Sequence, residues 1–188
     1  MTTHAPLAVG DAPPDFDLES DDGKRRSLSD FAGRWLVLYF YPKDDTPGCT
    51  REARGFSEAA ARLSKLGARV VGVSKDSVKS HCTFRDKYAL KFPLLSDPEL
   101  ETHVAYGAWG TKTLYGRKSE GTIRSTFLVS PDGKIARVWR SVKVDGHVDA
   151  VIAQIEGAGA GTKPARAGTV SKPKKTAKKA ATKRKAAR

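Results

Sequence analysis

Apolar and polar positions divide the first 156 residues into a regular series of elements. Residues 35–41 form the longest apolar run, which is typical of a strand buried on both faces. The valine-rich residues 69–74 predict a second strand, and residues 94 and 95 a short third one. Residues 49–66 predict a helix that ends at Gly67. Apolar residues recur along it at helical spacing, at Ala53, Phe56, Ala60 and Leu63.

Turn and cap signals extend this series on both sides. The Asp-Asp-Gly at residues 21–23 predicts an opening hairpin, and Asp76 or Ser77 can cap a helix that runs to about Ala89. The later part of the chain predicts a short helix at 100–106, a Gly- and Lys-rich loop at 109–121, a hairpin of 122–130 with 135–141, and an amphipathic helix at 146–155. Strand, helix, strand, helix, hairpin and helix is the order of a thioredoxin-like α/β fold.

Charge is spread unevenly along the chain. The 188 residues carry a net charge of +13, but 11 of the 34 Lys and Arg lie in residues 157–188, which hold no acid. Residues 1–156 hold the other 23 basic residues and all 21 acidic residues, so their net charge is about +2. We therefore expect one folded domain at residues 1–156 and a disordered Lys/Ala/Pro-rich basic tail at residues 157–188.

Three interpretations of the basic tail stay open. Its charges can neutralise phosphates, which predicts nonspecific and salt-dependent contact with DNA or RNA. It can also be a solvated segment that aids solubility, or a targeting signal in a eukaryotic source. Residues 171–180 resemble the carboxy-terminal tails of linker histones and histone-like bacterial proteins. The candidate phosphate contacts are Lys172, Lys174, Lys175, Lys178, Lys179, Lys183, Arg184 and Lys185.

The position of Cys49 is the first chemical signal. This cysteine stands directly after the apolar run and directly before a helical segment, so one thiol is presented where a strand meets a helix. Unpaired N–H groups and the helix dipole favour the charged form of a thiol placed there. The functional interpretation is a nucleophilic or redox cysteine, and the alternative is a small buried residue at a corner of the fold.

The residues before Cys49 favour the functional interpretation. Thr46 lies three residues earlier, where its hydroxyl can turn back toward the sulfur, and Pro42 can shield the other side. The pattern of Pro42, Thr46 and Cys49 resembles the peroxidatic motif of the peroxiredoxins. The longer string at residues 38–50 closely resembles the bacterioferritin-comigratory or Q-type subfamily. The resemblance covers about residues 6–156.

This resemblance implies a thioredoxin-like thiol peroxidase that reduces hydrogen peroxide and organic hydroperoxides. Cys49 would form a sulfenic acid, and thioredoxin or another thiol would recycle it. Arg124 matches the position of the family's active-site arginine, although by sequence alone it could be a solvated arginine on a strand. The resemblance also implies a monomer. The alternative is a nucleic-acid-associated protein in which the tail tethers a peroxidase body to DNA.

The chain departs from the family at the second cysteine. Many relatives place a resolving cysteine five residues after the peroxidatic one, where this chain has Arg54. Some members resolve from the following helix near the position of Arg85, and Cys82 lies one turn earlier on the same face. We therefore interpret Cys82 as the resolving candidate, with an inert Cys82 in a one-cysteine enzyme as the alternative. His81 is expected at the surface, and Glu52 as a helix-surface charge that could hold an arginine.

Other chemistry finds no support in the residues. The run at 35–41 is far shorter than the roughly 20 residues of a membrane helix, and the first residues lack the apolar core of a signal peptide. The four histidines are scattered without ligand spacing, so we expect no metal and no cofactor. Two cysteines without a secretory signal favour a reducing compartment. We expect a cytoplasmic protein, with nucleoid association through the tail as an option.

Overall fold

The computed structural model describes the backbone of residues 6–114 and 117–159, and the side chains of residues 6–111 and 118–158. The strands are β1 (Asp17–Ser20), β2 (Arg25–Ser27), β3 (Trp35–Phe40), β4 (Ala68–Ser74), β5 (Leu94–Ser96), β6 (Trp109–Leu114), β7 (Arg117–Thr122), β8 (Ser125–Val129) and β9 (Ile135–Arg140). A seven-stranded sheet has the order β2-β1-β5-β4-β3-β8-β9, and β6 pairs with β7 as a separate hairpin.

Five helices pack against this sheet or connect its strands. They are α1 (Pro47–Glu58), α2 (Ala60–Lys65), α3 (Val78–Tyr88), α4 (Glu101–Ala105) and α5 (His147–Gly159), and a 3-10 turn spans Leu28–Phe31. β3, β4 and β5 are parallel neighbours, whereas β8 pairs antiparallel with β3. Because parallel strands need long crossovers, α1 and α2 connect β3 to β4, and α3 connects β4 to β5. The predicted thioredoxin-like α/β fold is confirmed.

The core lies on both faces of β3, as its unbroken apolar run predicts. Val37 and Tyr39 belong to a cluster that includes Phe56 of α1, and Leu38 and Phe40 belong to a second cluster on the opposite face. Successive side chains of a strand point to opposite faces, so one run of residues supplies both clusters. β3 therefore ends inside the protein, and the loop that follows it starts from a fixed point.

A glycine on β4 permits the packing of the Tyr39 ring. Gly72 pairs with Tyr39 across β3 and β4, and a Cβ added at Gly72 would lie 2.9 Å from the tyrosine ring. The ring therefore covers the glycine backbone and stacks against Tyr41, with ring centroids 5.4 Å apart. This packing holds two aromatic side chains below the loop that leads to Cys49.

Two elements differ from the sequence prediction. The helix expected at residues 49–66 starts earlier, at Pro47, and is divided at Ala59 into α1 and α2. The segment 109–121, expected to be a loop, is the β6–β7 hairpin. Most residues of its two strands are glycine or polar, so the alternating apolar pattern that identifies a half-buried strand is missing from the sequence there.

The boundary expected at residue 156 falls within the last described helix. α5 continues to Gly159, and the remainder of the predicted tail, including the candidate phosphate contacts from Lys172 to Lys185, lies outside the described residues. Among the helices of residues 6–114 and 117–159, none combines the length and the apolar character that a membrane span requires.

Candidate active site

Cys49 lies in the first turn of α1, at the carboxyl edge of the parallel strands. Thr46 is the extended residue before the helix, Pro47 is the first helical residue, and Thr50 N donates to Thr46 O at 2.8 Å. Proline suits this first position because its missing N–H needs no partner there. Cys49 is only 2% exposed, so its sulfur lies in a largely dry setting beside first-turn N–H groups that have no partner within the helix.

Strand pairing brings Arg124 to this thiol. Ser125, the first residue of β8, pairs with Phe40, the last residue of β3. Arg124 precedes that pair, so it stands where the chain leaves β3 for α1. Its Nη2 donates to Cys49 Sγ at 3.2 Å, and its side chain is only 16% exposed. The alternative of a solvated arginine on a strand does not hold in the structure, which brings Arg124 and Cys49 together.

Glu52 holds the other side of the same guanidinium. It lies one turn after Cys49 on α1, is 1% exposed, and its Oε2 accepts from Arg124 Nη1. The expected helix-surface charge is thus a buried ion pair. Burial raises the pKa of Glu52 to about 7, although Arg124 opposes the shift. Burial acts to lower the pKa of Arg124, but the nearby Glu52 and Cys49 outweigh it and raise that pKa.

The hydroxyl of Thr46 has a different partner from the one its spacing suggested. Thr46 Oγ1 donates to the carbonyl oxygen of Lys43 at 3.1 Å, and among the described residues it makes no hydrogen bond to Cys49 Sγ. The bond closes the loop that leads into α1. Pro42 is half-buried at the start of that loop. The Thr46 bond therefore shapes the backbone on which the thiol is carried.

The second cysteine lies on α3. Cys82 is half-buried, and its Sγ donates to the carbonyl oxygen of Asp21 at 3.0 Å. Arg85, one turn further on, donates to Asp21 Oδ2 at 2.7 Å, so both α3 residues bind the same aspartate at the β1–β2 turn. Cys49 and Cys82 are both free thiols. The chain thus keeps them on two separate helices.

His81 and Asp44 are site neighbours that the sequence did not reveal. His81 was expected at the surface, but its exposure is 0%, and its Nδ1 lies 2.8 Å from Asp44 Oδ2. A histidine between polar neighbours on a helix gives no periodic signal of burial, so only the packing of α3 against the sheet shows it. Within the described residues, no group of His, Cys, Asp and Glu side chains could hold a metal ion.

A free, buried thiol at a helix start, paired with an arginine on a thioredoxin-like fold, defines a thiol-based redox protein. The model of the AhpC/TSA family matches residues 9–138, and the chain belongs to this family. It is 48% identical over 149 residues to "Putative peroxiredoxin bcp" of Coxiella burnetii, which covers 79% of this chain and 99% of that one. It is also 42% identical over 142 residues to "Peroxiredoxin Bcp" of Bacillus subtilis, and this alignment covers 76% of this chain and 90% of that one.

Solved structures agree with these sequence relatives. Peroxiredoxin Q of Xanthomonas campestris superposes with a TM-score of 0.74 at 44% identity, over 80% of this chain and 96% of that one. The bacterioferritin comigratory protein of the same species superposes with a TM-score of 0.75 at 43% identity, over 82% of this chain and 99% of that one. The predicted relation to the Q-type peroxiredoxins is confirmed.

Proposed function

We propose that the protein is a thiol peroxidase in which Cys49 reduces hydroperoxides. The observation that carries the proposal is the contact of Arg124 Nη2 with Cys49 Sγ at 3.2 Å inside a largely buried pocket. A cation beside the sulfur favours the thiolate, and its other N–H groups can reach an oxygen bound next to the sulfur. The bacterioferritin comigratory protein of Xanthomonas campestris has alkyl peroxide reduction activity, which supports hydroperoxides as the substrate class.

The first chemical step is a displacement on oxygen. The Cys49 thiolate attacks the terminal oxygen of ROOH, so an S–O bond forms while the O–O bond breaks. The leaving RO⁻ takes up a proton and departs as water or an alcohol, and Cys49 becomes a sulfenic acid. Negative charge grows on the leaving oxygen, where the guanidinium of Arg124 and the first-turn amides of α1 can stabilise it.

Glu52, Thr46 and Pro42 complete the proposed site without reacting themselves. Glu52 fixes the plane of the Arg124 guanidinium through a charge-assisted bond. Thr46 fixes the loop through Lys43, and Pro42 limits access of water on the other side. Bonds fixed before the reaction avoid reorganisation when charge develops.

Cys82 is our candidate for the resolving residue. Its thiol would attack the Cys49 sulfenic acid, forming the S–S bond and releasing water, and a dithiol such as thioredoxin would then reduce the disulfide. A disulfide requires Cα atoms within about 7 Å, so α1 must unwind locally and Cys82 must leave its bond to Asp21. The alternative is a one-cysteine enzyme in which an outside thiol reacts with Cys49 directly.

Peptide mapping after one equivalent of hydrogen peroxide tests these steps. A bridge between the Cys49 and Cys82 peptides would support intramolecular resolution, and Cys82→Ser should then stop at the sulfenic acid. Oxygen on Cys49 with Cys82 unchanged would assign the one-cysteine cycle. Cys49→Ser is the negative control, and an unreacted Cys49 in the wild-type protein would contradict the peroxidase proposal.

We further propose a two-part organisation, with a catalytic domain that ends with α5 and a tail that is accessory to catalysis. The catalytic domain would act as a monomer in a reducing cytoplasm, where a thiol reductant is available. The nearly neutral charge of residues 1–156 supports placing any phosphate contact in the tail. Nucleic-acid contact through residues 157–188 stays a prediction.

A further inference from the structure

The loop between β3 and α1, residues 41–46, is tied to α3 through one buried carboxylate. Asp44, whose side chain is 5% exposed, accepts hydrogen bonds from Tyr41 Oη at 2.7 Å and from Ser80 Oγ at 2.7 Å. Its Oδ2 also lies 2.8 Å from Nδ1 of His81. Its backbone N–H donates to Asp76 Oδ2 at 2.8 Å. One residue of the loop therefore makes three bonds to parts of the fold outside the loop, with Ser80, His81 and Asp76, and one bond within it.

The ring of His81 lies between two hydrogen-bond acceptors. Nδ1 faces the Asp44 carboxylate at 2.8 Å, and Nε2 faces the carbonyl oxygen of Leu95 at 3.2 Å. A carbonyl oxygen and an ionised carboxylate both accept hydrogen bonds, so the ring is held between two acceptors. Burial acts to raise the pKa of Asp44, but the bonds from His81, Ser80 and Tyr41 outweigh it and lower that pKa. Asp44 and His81 are thus a buried, hydrogen-bonded pair.

The pair formed by Asp44 and His81 is connected to the Cys49 thiol through the backbone of the loop. Lys43, directly before Asp44, supplies the carbonyl oxygen that accepts the Thr46 hydroxyl. Asp45, directly after it, adopts φ 55°, a left-handed conformation that a non-glycine residue keeps only when its surroundings enforce it. Thr46 is the extended residue directly before α1, and Cys49 follows in the first turn of that helix. Displacement of Asp44 would move the start of α1 and, with it, the sulfur relative to Arg124.

We propose that Asp44 and His81 are a positioning pair that sets the alignment of Cys49 with Arg124 by fixing the β3–α1 loop against α3. The inference rests on the proposed peroxidase function and adds two residues to it that touch no reacting atom. It also links the loop to the helix that carries Cys82, because His81 and Cys82 are neighbours on α3. Movement of α3 away from the sheet would release the loop at the same time.

The test separates positioning from ordinary stability. Stopped-flow measurement gives the rate constant for oxidation of Cys49 by hydrogen peroxide, and iodoacetamide gives its rate of alkylation, both well below the unfolding temperature. Both rates are taken at a pH on the plateau of the alkylation profile, where the thiol is fully ionised in either protein, so the alkylation rate there does not depend on alignment with Arg124. For Asp44→Asn we expect the peroxide rate to fall about ten- to a hundredfold, since small misplacements of reacting groups have effects of that size. The alkylation rate should not fall.

Three further variants control for loss of stability and test the contact with α3. Asp97→Asn alters the other buried Asp–His pair, in which Asp97 Oδ2 lies 2.6 Å from His103 Nδ1, and it shares no hydrogen bond with residues 41–46. Its peroxide rate should stay within about twofold of wild type. Ser80→Ala should lower the peroxide rate about threefold, whereas Ser80→Thr, which keeps the hydroxyl, should restore it.

The outcomes distinguish this inference from the proposed function. A wild-type protein that does not react with peroxide at Cys49 would defeat the proposed function and the inference together. A reactive wild type with an unchanged Asp44→Asn rate would overturn the inference alone. Equal losses in Asp44→Asn and Asp97→Asn, or parallel losses of the peroxide and alkylation rates, would also overturn it, because each indicates a general effect.

Discussion

Arg124 donates to the sulfur of Cys49 at 3.2 Å across 75 residues of sequence. The contact exists because β8 pairs antiparallel with β3, which returns the chain to the place where β3 ends. Glu52 then binds the same guanidinium from the next turn of α1. The reactive unit is therefore a row of three side chains in which the arginine is shared by a carboxylate and a thiol.

Replacement of Arg124 should abolish most of the peroxide reaction while the fold persists. In Arg124→Met the second-order rate with hydrogen peroxide is expected to fall about a hundredfold or more, since one lost donor to developing charge has an effect of that size. Glu52 would then bind a proton instead of remaining as an unpaired charge. Stopped-flow kinetics measures the rate. Arg51→Met, in an exposed pair with Asp145, is the matched control and should react like wild type.

The pH dependence of the rate of reaction with peroxide should reflect the ionisation of the Glu52 carboxyl group. The ionised carboxylate binds Arg124 more strongly than the neutral acid, and burial raises the pKa of Glu52 to about 7. The rate should therefore decline as the pH falls through about 7, and Glu52→Gln should lose this part of the profile. Kinetics between about pH 5 and pH 9 provides the measurement. A Gln variant with the wild-type profile would remove Glu52 from the role given to it here.

The same shift has the opposite consequence for stability. The folded pKa of Glu52 lies above its ordinary value of 4.5, so the folded state binds the proton more tightly than the unfolded chain does. Its contribution to the free energy of unfolding is fully present below pH 4.5 and is lost as the pH rises through about 7. Denaturant unfolding of wild type and Glu52→Gln across this window should show the difference in slope.

His147 should make the protein sensitive to acid. It is 5% exposed at the start of α5, its Nε2 lies 2.8 Å from Thr126 Oγ1, and burial together with nearby Arg124 lowers its pKa to about 4. The unfolded chain takes up a proton near pH 6.5, and the folded protein does so only near pH 4. The free energy of unfolding should therefore decrease as the pH falls from 6.5 to about 4. His147→Gln should flatten this decrease, and an unchanged slope would contradict the assignment.

Removal of the tail should separate its role from catalysis. Deletion of residues 160–188 leaves α5 intact and removes all 11 basic residues counted in the tail. We expect unchanged peroxidase kinetics and the loss of retention on immobilised DNA at low salt, because phosphate neutralisation is the only attraction involved. Column retention over a salt series measures this. If the full-length and shortened proteins were retained equally, the prediction of nucleic-acid contact would be wrong.

Local sequence patterns predicted the elements that have a strong apolar signal. The run at residues 35–41 identified β3, and helical spacing identified most of α1 and α2. The β6–β7 hairpin was missed because most of its residues are glycine or polar. Ala59 interrupts the helix although no Gly or Pro stands there, and nothing in the structure explains the break.

The candidate site also divides into features with a local sequence signal and features that depend on contacts between distant parts of the chain. The sequence by itself determined that a cysteine stands at the start of a helix after a buried strand, because strand and helix signals are local and the motif is contiguous. Only the tertiary structure decided that Glu52 and His81 are buried and which charges they meet. A buried charge requires a partner, and the partner is set by strand register and helix packing between residues far apart in the chain. Arg124 reaches Cys49 for that reason, and Asp44 reaches His81 in the same way.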